Sequence, residues 1–241
     1  MDRQNQRQFG VSGSTLKLFA IITMLIDHTG AAVVGPYFSY SSVRTTNYDL
    51  YQTLYHLYRI MRGVGRLAFP VFCFLLVEGF FHTRSVKKYC ERLFLFALIS
   101  EFPFDFALKQ SVPFWGKQNV YFTLLIGLIC IWMLSELQTM PCIQLFAIGA
   151  SMYLADALMT DYNYKGVFLI AILYLFHDYR LYQCAAGAAA ISWENYAPFS
   201  YILCYFYNGK RGLKLRYIFY IFYPGHLIVL GIIRNVLLHS W

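Results

Sequence analysis

The chain has 241 residues, of which 59% are hydrophobic, 20% aromatic and only 13% charged. A soluble domain carries roughly a quarter charged residues, so this composition excludes a disordered chain, a secreted disulfide scaffold and most water-soluble enzymes. Twenty Lys+Arg against 12 Asp+Glu give a net charge of +8, and on so apolar a chain that surplus is expected to face anionic lipid headgroups rather than nucleic acid. The expected class is all-α, a polytopic integral membrane helical bundle. It is expected to form one domain over 1–241, because no polar stretch is long enough to be a second.

The six cysteines, Cys73, Cys90, Cys130, Cys142, Cys184 and Cys204, lie far apart, mostly inside apolar runs and with no CxxC pair. They read as single thiols behaving as small hydrophobes, so neither a disulfide framework nor a metal site is expected. Met1–Gly13 is polar and Leu16–Val34 apolar, the outward form of a signal peptide. Asp27-His28 interrupts the apolar run, however, and no small-residue cleavage site follows, which favours a retained first span.

A helix crossing a bilayer core needs about 20 apolar residues. In chain order the predicted spans are Leu16–Val34, Leu67–Phe81, Leu93–Leu108, Val120–Leu134 and Cys142–Leu158, with Tyr217–Leu238 closing the chain. Between Gly166 and Tyr207 the hydropathy continues, but Asp178-Tyr179-Arg180 and Trp193-Glu194-Asn195 divide it into Gly166–Phe176, Leu181–Ile191 and Pro198–Tyr207. The expectation is about nine transmembrane helices, with one or two short or re-entrant segments among these pieces. Tyr48–Gly65 differs in character: its tyrosines and leucines alternate with Gln52, His56, Arg59 and Arg62, as in an aromatic helix lying at the interface. Ser39–Asn47 reads as a loop.

Lys and Arg in short loops set orientation. Arg3, Arg7 and Lys17, then Arg84, Lys87, Lys88 and Arg92, then Lys210, Arg211, Lys214 and Arg216 form the strongest basic clusters. Nine spans put all three on one side, which the positive-inside rule makes cytoplasmic, with the N-terminus inside. Arg44, Arg59 and Arg62 dissent.

Ionisable residues at lipid depth are costly and normally face a cavity or one another. Here they are Asp27, His28, Arg66, Glu78, Glu101, Asp105 and His226. Any one of them has a purely structural explanation; Arg66 and Glu78, for example, could snorkel from opposite ends of one span. As a set they point to a pathway or a site.

His28 lies near the middle of the first span, where a neutral imidazole can take and return a proton. Lys17 precedes it by 11 residues, which places both on one helix face about 16 Å apart. A long ligand with an anionic head and a reactive tail matches that geometry, and acyl-coenzyme A is such a ligand. A snorkelling lysine and a packed histidine are the structural alternative. Glu101 and Asp105, four apart around Pro103, share a face that could hold a cation or an amine. The proline is expected to free a carbonyl. Pro224 and Gly225 are likewise expected to disturb the last span beside Tyr223 and His226. Asn208-Gly-Lys-Arg-Gly212 is a basic turn, a weak anion-binding signal on its own.

A series of blocks along almost the whole chain resembles the TraX family of membrane proteins. They include Leu16-Lys-Leu with Ile26-Asp-His-Thr-Gly30, Gly65-Arg-Leu-Ala-Phe-Pro-Val-Phe72 with Val77-Glu-Gly-Phe80, and His82-Thr-Arg84. Ile99-Ser-Glu-Phe-Pro-Phe-Asp105, Asn119-Val-Tyr-Phe-Thr-Leu124, Asp161-Tyr162 with Gly166, Tyr207-Asn-Gly-Lys-Arg-Gly212 and Phe222-Tyr-Pro-Gly-His226 follow in order. The resemblance implies membrane acetyl transfer of the kind linked to N-terminal acetylation of conjugative pilin subunits in the inner membrane. It also implies distant kinship with the acyltransferase-3 group, whose first span carries a basic residue, ten intervening residues and an essential histidine. Lys17 and His28 have that spacing, with Lys where Arg is common, which loses the bidentate fork.

On this resemblance, acetyl-CoA is the expected co-substrate and His28 the base. Glu101 or Asp105 is its expected orienting carboxylate, and Arg66 an oxyanion or phosphate ligand. Lys17, Asn208, Lys210 and Arg211 are expected at the coenzyme, and Asp27, Glu78, Tyr223 and His226 around the substrate cavity. Membrane lipids and an acceptor protein or envelope molecule are the expected partners. Two rival readings are a proton or cation relay through Asp27, Glu78, Glu101 and His226, and a structural assembly factor of a conjugation or secretion apparatus.

Overall fold

The computed structural model describes residues 10–40, 43–109, 111–213 and 216–239. Arg3, Arg7 and Lys214 of the basic clusters lie outside the described residues, as does part of the predicted loop Ser39–Asn47. Among the described residues the chain is all-helical, with only two isolated bridges, Val11 to Tyr207 and Gln118 to Thr160.

The helices are α1 (Gly13–Thr29), α2 (Gly35–Tyr40), α3 (Val43–Thr46), α4 (Tyr48–Gly65), α5 (Ala68–His82), α6 (Val86–Phe104), α7 (Val120–Glu136), α8 (Pro141–Ala157), α9 (Asn163–Leu175), α10 (Arg180–Ala190), α11 (Ser200–Tyr205) and α12 (Arg216–His239). Two wide π-helical turns, Gly30–Val34 and Asp105–Lys109, extend α1 and α6. Three stretches are long and apolar enough to cross a membrane: Gly13–Ser39, Tyr48–His82 and Tyr220–Leu237. The pieces expected between Gly166 and Tyr207 are the separate helices α9, α10 and α11.

α6 runs through Pro103 into the π-helical turn Asp105–Lys109, and α12 continues through Pro224. Loss of one N–H donor is absorbed locally where neighbouring helices hold the segment. One expectation needs correction: α4 does not lie along the interface. It lies antiparallel along the second half of α1, with Met61 against Gly30, Tyr58 against Gly35 and Gly65 against Asp27. That crossing requires glycine at 65, because a Cβ there would run into the Asp27 side chain.

The bundle has two ends. At the N-terminal end, Gly13 and Ser14 N–H donate to Lys210 and Arg211 C=O at 2.8 and 3.0 Å. At the opposite end, Gln118 N–H donates to Met159 C=O at 3.0 Å, joining the linkers before α7 and α9. The core between them includes Phe74, Leu128, Ile131, Leu173 and Leu227, all fully buried. The outside is apolar as well: Leu145, Phe146 and Tyr153 of α8 are 71%, 75% and 77% exposed. A water-soluble surface does not carry such residues in bulk, whereas lipid solvates them.

Candidate active site

Ser12 caps α1 by accepting the Thr15 N–H at 3.3 Å. Leu16, Ala20 and Met24, at steps of four, bury one face of the helix and carry it to Asp27-His28. Neighbouring residues on a helix diverge by about 100°, and these two separate accordingly. Asp27 turns to α4, where Arg62 donates to its Oδ2 at 2.8 Å. His28 turns to α12, where its Nδ1 lies 2.6 Å from Nε2 of His226.

The direction of that bond follows from the next link. His226 Nδ1 is 2.7 Å from the Phe222 carbonyl, four residues back on α12, and a carbonyl only accepts. In the neutral pair His226 therefore carries its proton on Nδ1 and offers Nε2 as acceptor. His28 donates from Nδ1, which leaves the lone pair of His28 on Nε2. The Phe222 ring stacks on His226 at 4.7 Å, and Tyr223 stands edge-on to both imidazoles at 5.9 and 5.8 Å. The ring that carries the lone pair is thus fixed by packing as well as by hydrogen bonding.

His28 and Tyr223 line a cavity of about 580 Å³. Phe72 and Leu124 reach it from the bundle interior, while Lys109, ending the π-helical turn after α6, and Lys117, Asp161 and Glu194 from linkers reach it at the end remote from the α1 N-terminus. Its charges are largely paired. Besides Arg62–Asp27, Arg66 meets Glu194 at 3.3 Å and Lys117 meets Asp161 at 2.8 Å. Lys109 and Lys165 complete five lining cations against three carboxylates. Lys165 sits over the Trp193 ring at 4.4 Å, and Lys109 over Phe104 and Phe114 at 5.5 and 5.3 Å. Burial, and then the neighbouring Lys117, hold the Lys109 ammonium below its ordinary range. Burial and the Asp161 charge push the Tyr162 phenol up, so this cavity-lining hydroxyl stays protonated. Asp27 Oδ1 is buried without a hydrogen-bond partner.

Of the residues singled out in the sequence, Asp27, His28, Arg66 and Tyr223 come together at the cavity, with His226 bonded to His28. The others do not. Glu101 takes the Asn119 side-chain amide and its backbone N–H, and Asp105 takes the Phe114 N–H at 2.7 Å. Both carboxylates therefore hold the linker between α6 and α7, and the orienting partner of His28 is an imidazole. Glu78 lies at the N-terminal end, 2.9 Å from Arg180 and 3.4 Å from His177, away from the cavity where it was expected.

Asn208, Lys210 and Arg211 also sit at the N-terminal end, where Asn208 receives the Lys210 N–H at 3.0 Å and donates to Gly10 C=O at 3.2 Å. Gly212 has φ +72°, and a Cβ there would meet the hydroxyls of Ser12 and Ser14, so this turn is moulded onto the start of α1, beside Lys17. Arg62, Glu194, Lys117 and Asp161 are cavity residues that sequence reasoning missed. An intramembrane Asp27 called for a cation, and Arg62, which dissents from the orientation rule, is that cation.

A family model described as TraX protein matches residues 12–234. A relative, the probable fimbrial assembly protein FimC, serogroup H1, of Dichelobacter nodosus, is 29% identical over 256 residues, covering 93% of this chain and 96% of its own length. No solved structure matches. With the family pattern spanning nearly the whole bundle, from the cap of α1 to the last turns of α12, the chain belongs to the TraX family.

Proposed function

We propose that the protein is a multi-pass acetyltransferase of the cytoplasmic membrane, with nine passes and its N-terminus inside. On this reading it moves an acetyl group from acetyl-CoA to an amine or hydroxyl of a fimbrial or envelope acceptor. The observation that carries the reading is the Phe222–His226–His28 chain, which leaves an imidazole lone pair on a ring lining a charged cavity. A packed structural histidine has both ring nitrogens partnered, whereas His28 keeps the lone pair on Nε2.

In the step proposed, the acceptor amine attacks the thioester carbonyl and passes a proton to His28 Nε2. The C–S bond breaks, and the leaving thiolate takes that proton back from His28, giving the acetylated acceptor and free thiol. His226 accepts from His28 Nδ1 throughout and shares the transient positive charge. Arg66 uses one N–H on Glu194 and has others for the developing oxyanion.

The two ends of the bundle divide the ligands. The cavity opens away from Lys17, Lys210 and Arg211, which supports acceptor entry through the cavity and coenzyme binding at the N-terminal end. Eleven residues of α1, about 16 Å, separate Lys17 from His28, a span suited to a pantetheine arm. The name of the Dichelobacter relative favours a fimbrial subunit as acceptor.

The test is transfer from labelled acetyl-CoA to a panel of amines and pilin-like peptides by purified protein. His28→Ala is expected to abolish transfer with the fold retained, and undiminished transfer would sink the role given to His28. Lys210→Ala with Arg211→Ala is expected to raise KM for acetyl-CoA. A rise caused instead by Lys117→Ala would move the coenzyme to the cavity mouth.

A further inference from the structure

α4 presents a second face. Tyr58, Arg62 and Arg66 turn to the cavity, whereas His56, Arg59, Ile60 and Val64 line a separate groove of about 600 Å³. Leu67 lies at its inner end, and Tyr196 and Phe199, from the segment after α10, form the opposite wall. That wall is built at some cost. Tyr196 is held at φ 70°, a left-handed conformation that is unfavourable for an aromatic residue. Its ring lies on Gly63, where a Cβ would come within 3.1 Å of it.

The groove is graded in polarity along a known direction. α4 descends from Tyr48 toward Gly65, which is level with Asp27 in the body of the bundle. His56 and Arg59 therefore stand at the outer end, both exposed. Ile60, Val64 and Leu67 follow inward. Ile60 and Phe199 are each 64% exposed, and the helix belongs to the apolar stretch Tyr48–His82 that is long enough to cross a membrane. Among the described residues Arg59 has no hydrogen bond or ion pair, unlike Arg62 and Arg66 on the other face.

We propose that this groove binds one anionic phospholipid, with its phosphate on Arg59 beside His56 and one acyl chain running inward along Ile60, Val64 and Leu67 against Phe199. A guanidinium matches a phosphate with paired N–H donors. The order of cation outside and apolar surface inside is the order of headgroup and tail in a leaflet. The site is distinct from the acyl-transfer cavity and does not depend on that reading.

Native mass spectrometry of the purified full chain, offered phosphatidylglycerol or phosphatidylcholine, tests it. One phosphatidylglycerol is expected to be retained, preferred about fivefold over phosphatidylcholine. Arg59→Gln is expected to remove the preference and Arg59→Lys to keep part of it. Val64→Trp, which fills the groove, is expected to remove the adduct of either lipid. Equal retention of the two lipids by the natural chain, or a preference that survives in Arg59→Gln, overturns the proposal. Arg59 is exposed, so that comparison decides the matter even where Val64→Trp does not fold.

Discussion

The two ends of the bundle both bury ionisable groups but use them differently. At the N-terminal end, Glu78 is surrounded: Arg180 bonds it, His177 lies 3.4 Å away, Arg180 also reaches Gln183 at 2.8 Å, and its guanidinium lies over the Phe74 and Tyr207 rings at 4.6 and 5.3 Å. The Glu78–Arg180 pair is closed on protein groups, and the cluster ties α5 to the start of α10 and the end of α11. At the cavity end the pairing is incomplete. His28 keeps a lone pair, and two lysines are held over aromatic rings. Buried charge that is fully satisfied specifies structure, while buried polarity left open toward a cavity is available for a ligand.

The sharpest way to break this contrast is His28→Ala, expected to lower acetyl transfer by about 10²–10⁴-fold, the usual worth of a general base. The fold should survive, with a stability loss of about 1–3 kcal/mol from leaving His226 Nε2 unpaired, read as a lower thermal unfolding midpoint in detergent. His226→Leu is expected to cost less, and His226→Gln, whose amide oxygen can still accept from His28, less again. Equal losses in those two variants would remove the tautomer argument.

At the other end the signs reverse. Glu78→Ala leaves Arg180 buried without its carboxylate and is expected to cost about 3–5 kcal/mol of stability. The rate per folded molecule should stay unchanged, measured by pairing chemical denaturation with the transfer assay. Gly65→Ala forces α4 away from Asp27 and is expected to cost about 1–3 kcal/mol, lowering both midpoint and rate because the crossing positions the cavity wall. The smallest effect belongs to Lys117→Ala. This partly exposed pair with Asp161 is worth about 0.2–1 kcal/mol, so its loss should appear mainly as a salt-sensitive change in acceptor KM.

Much of the candidate site was legible because lipid makes polarity conspicuous. His28, Asp27, Arg66 and His226 stand out in apolar runs, and all four fall at or beside one cavity. Glu101, Asp105 and Glu78 stood out just as clearly and lie elsewhere. Sequence spacing shows that two carboxylates share a helix face but not what that face meets. Asn119 and the Phe114 N–H meet one face, and Arg180 meets the other. Arg62 looked like an exception to the orientation rule because its partner, Asp27, is 35 positions away.

Composition and apolar run length alone determined that this chain is an all-helical membrane protein, and block order alone pointed to its family. Both are local or additive properties that need no knowledge of which surfaces touch. Tertiary structure decided which charges are closed on one another, that an imidazole rather than a carboxylate is bonded to His28, and that Arg59 and Arg62, three residues apart, line two different pockets. These depend on contacts such as the one joining His28 to His226 across 198 positions. A hydrogen bond of that kind is set by helix crossings, not by anything written locally in either helix.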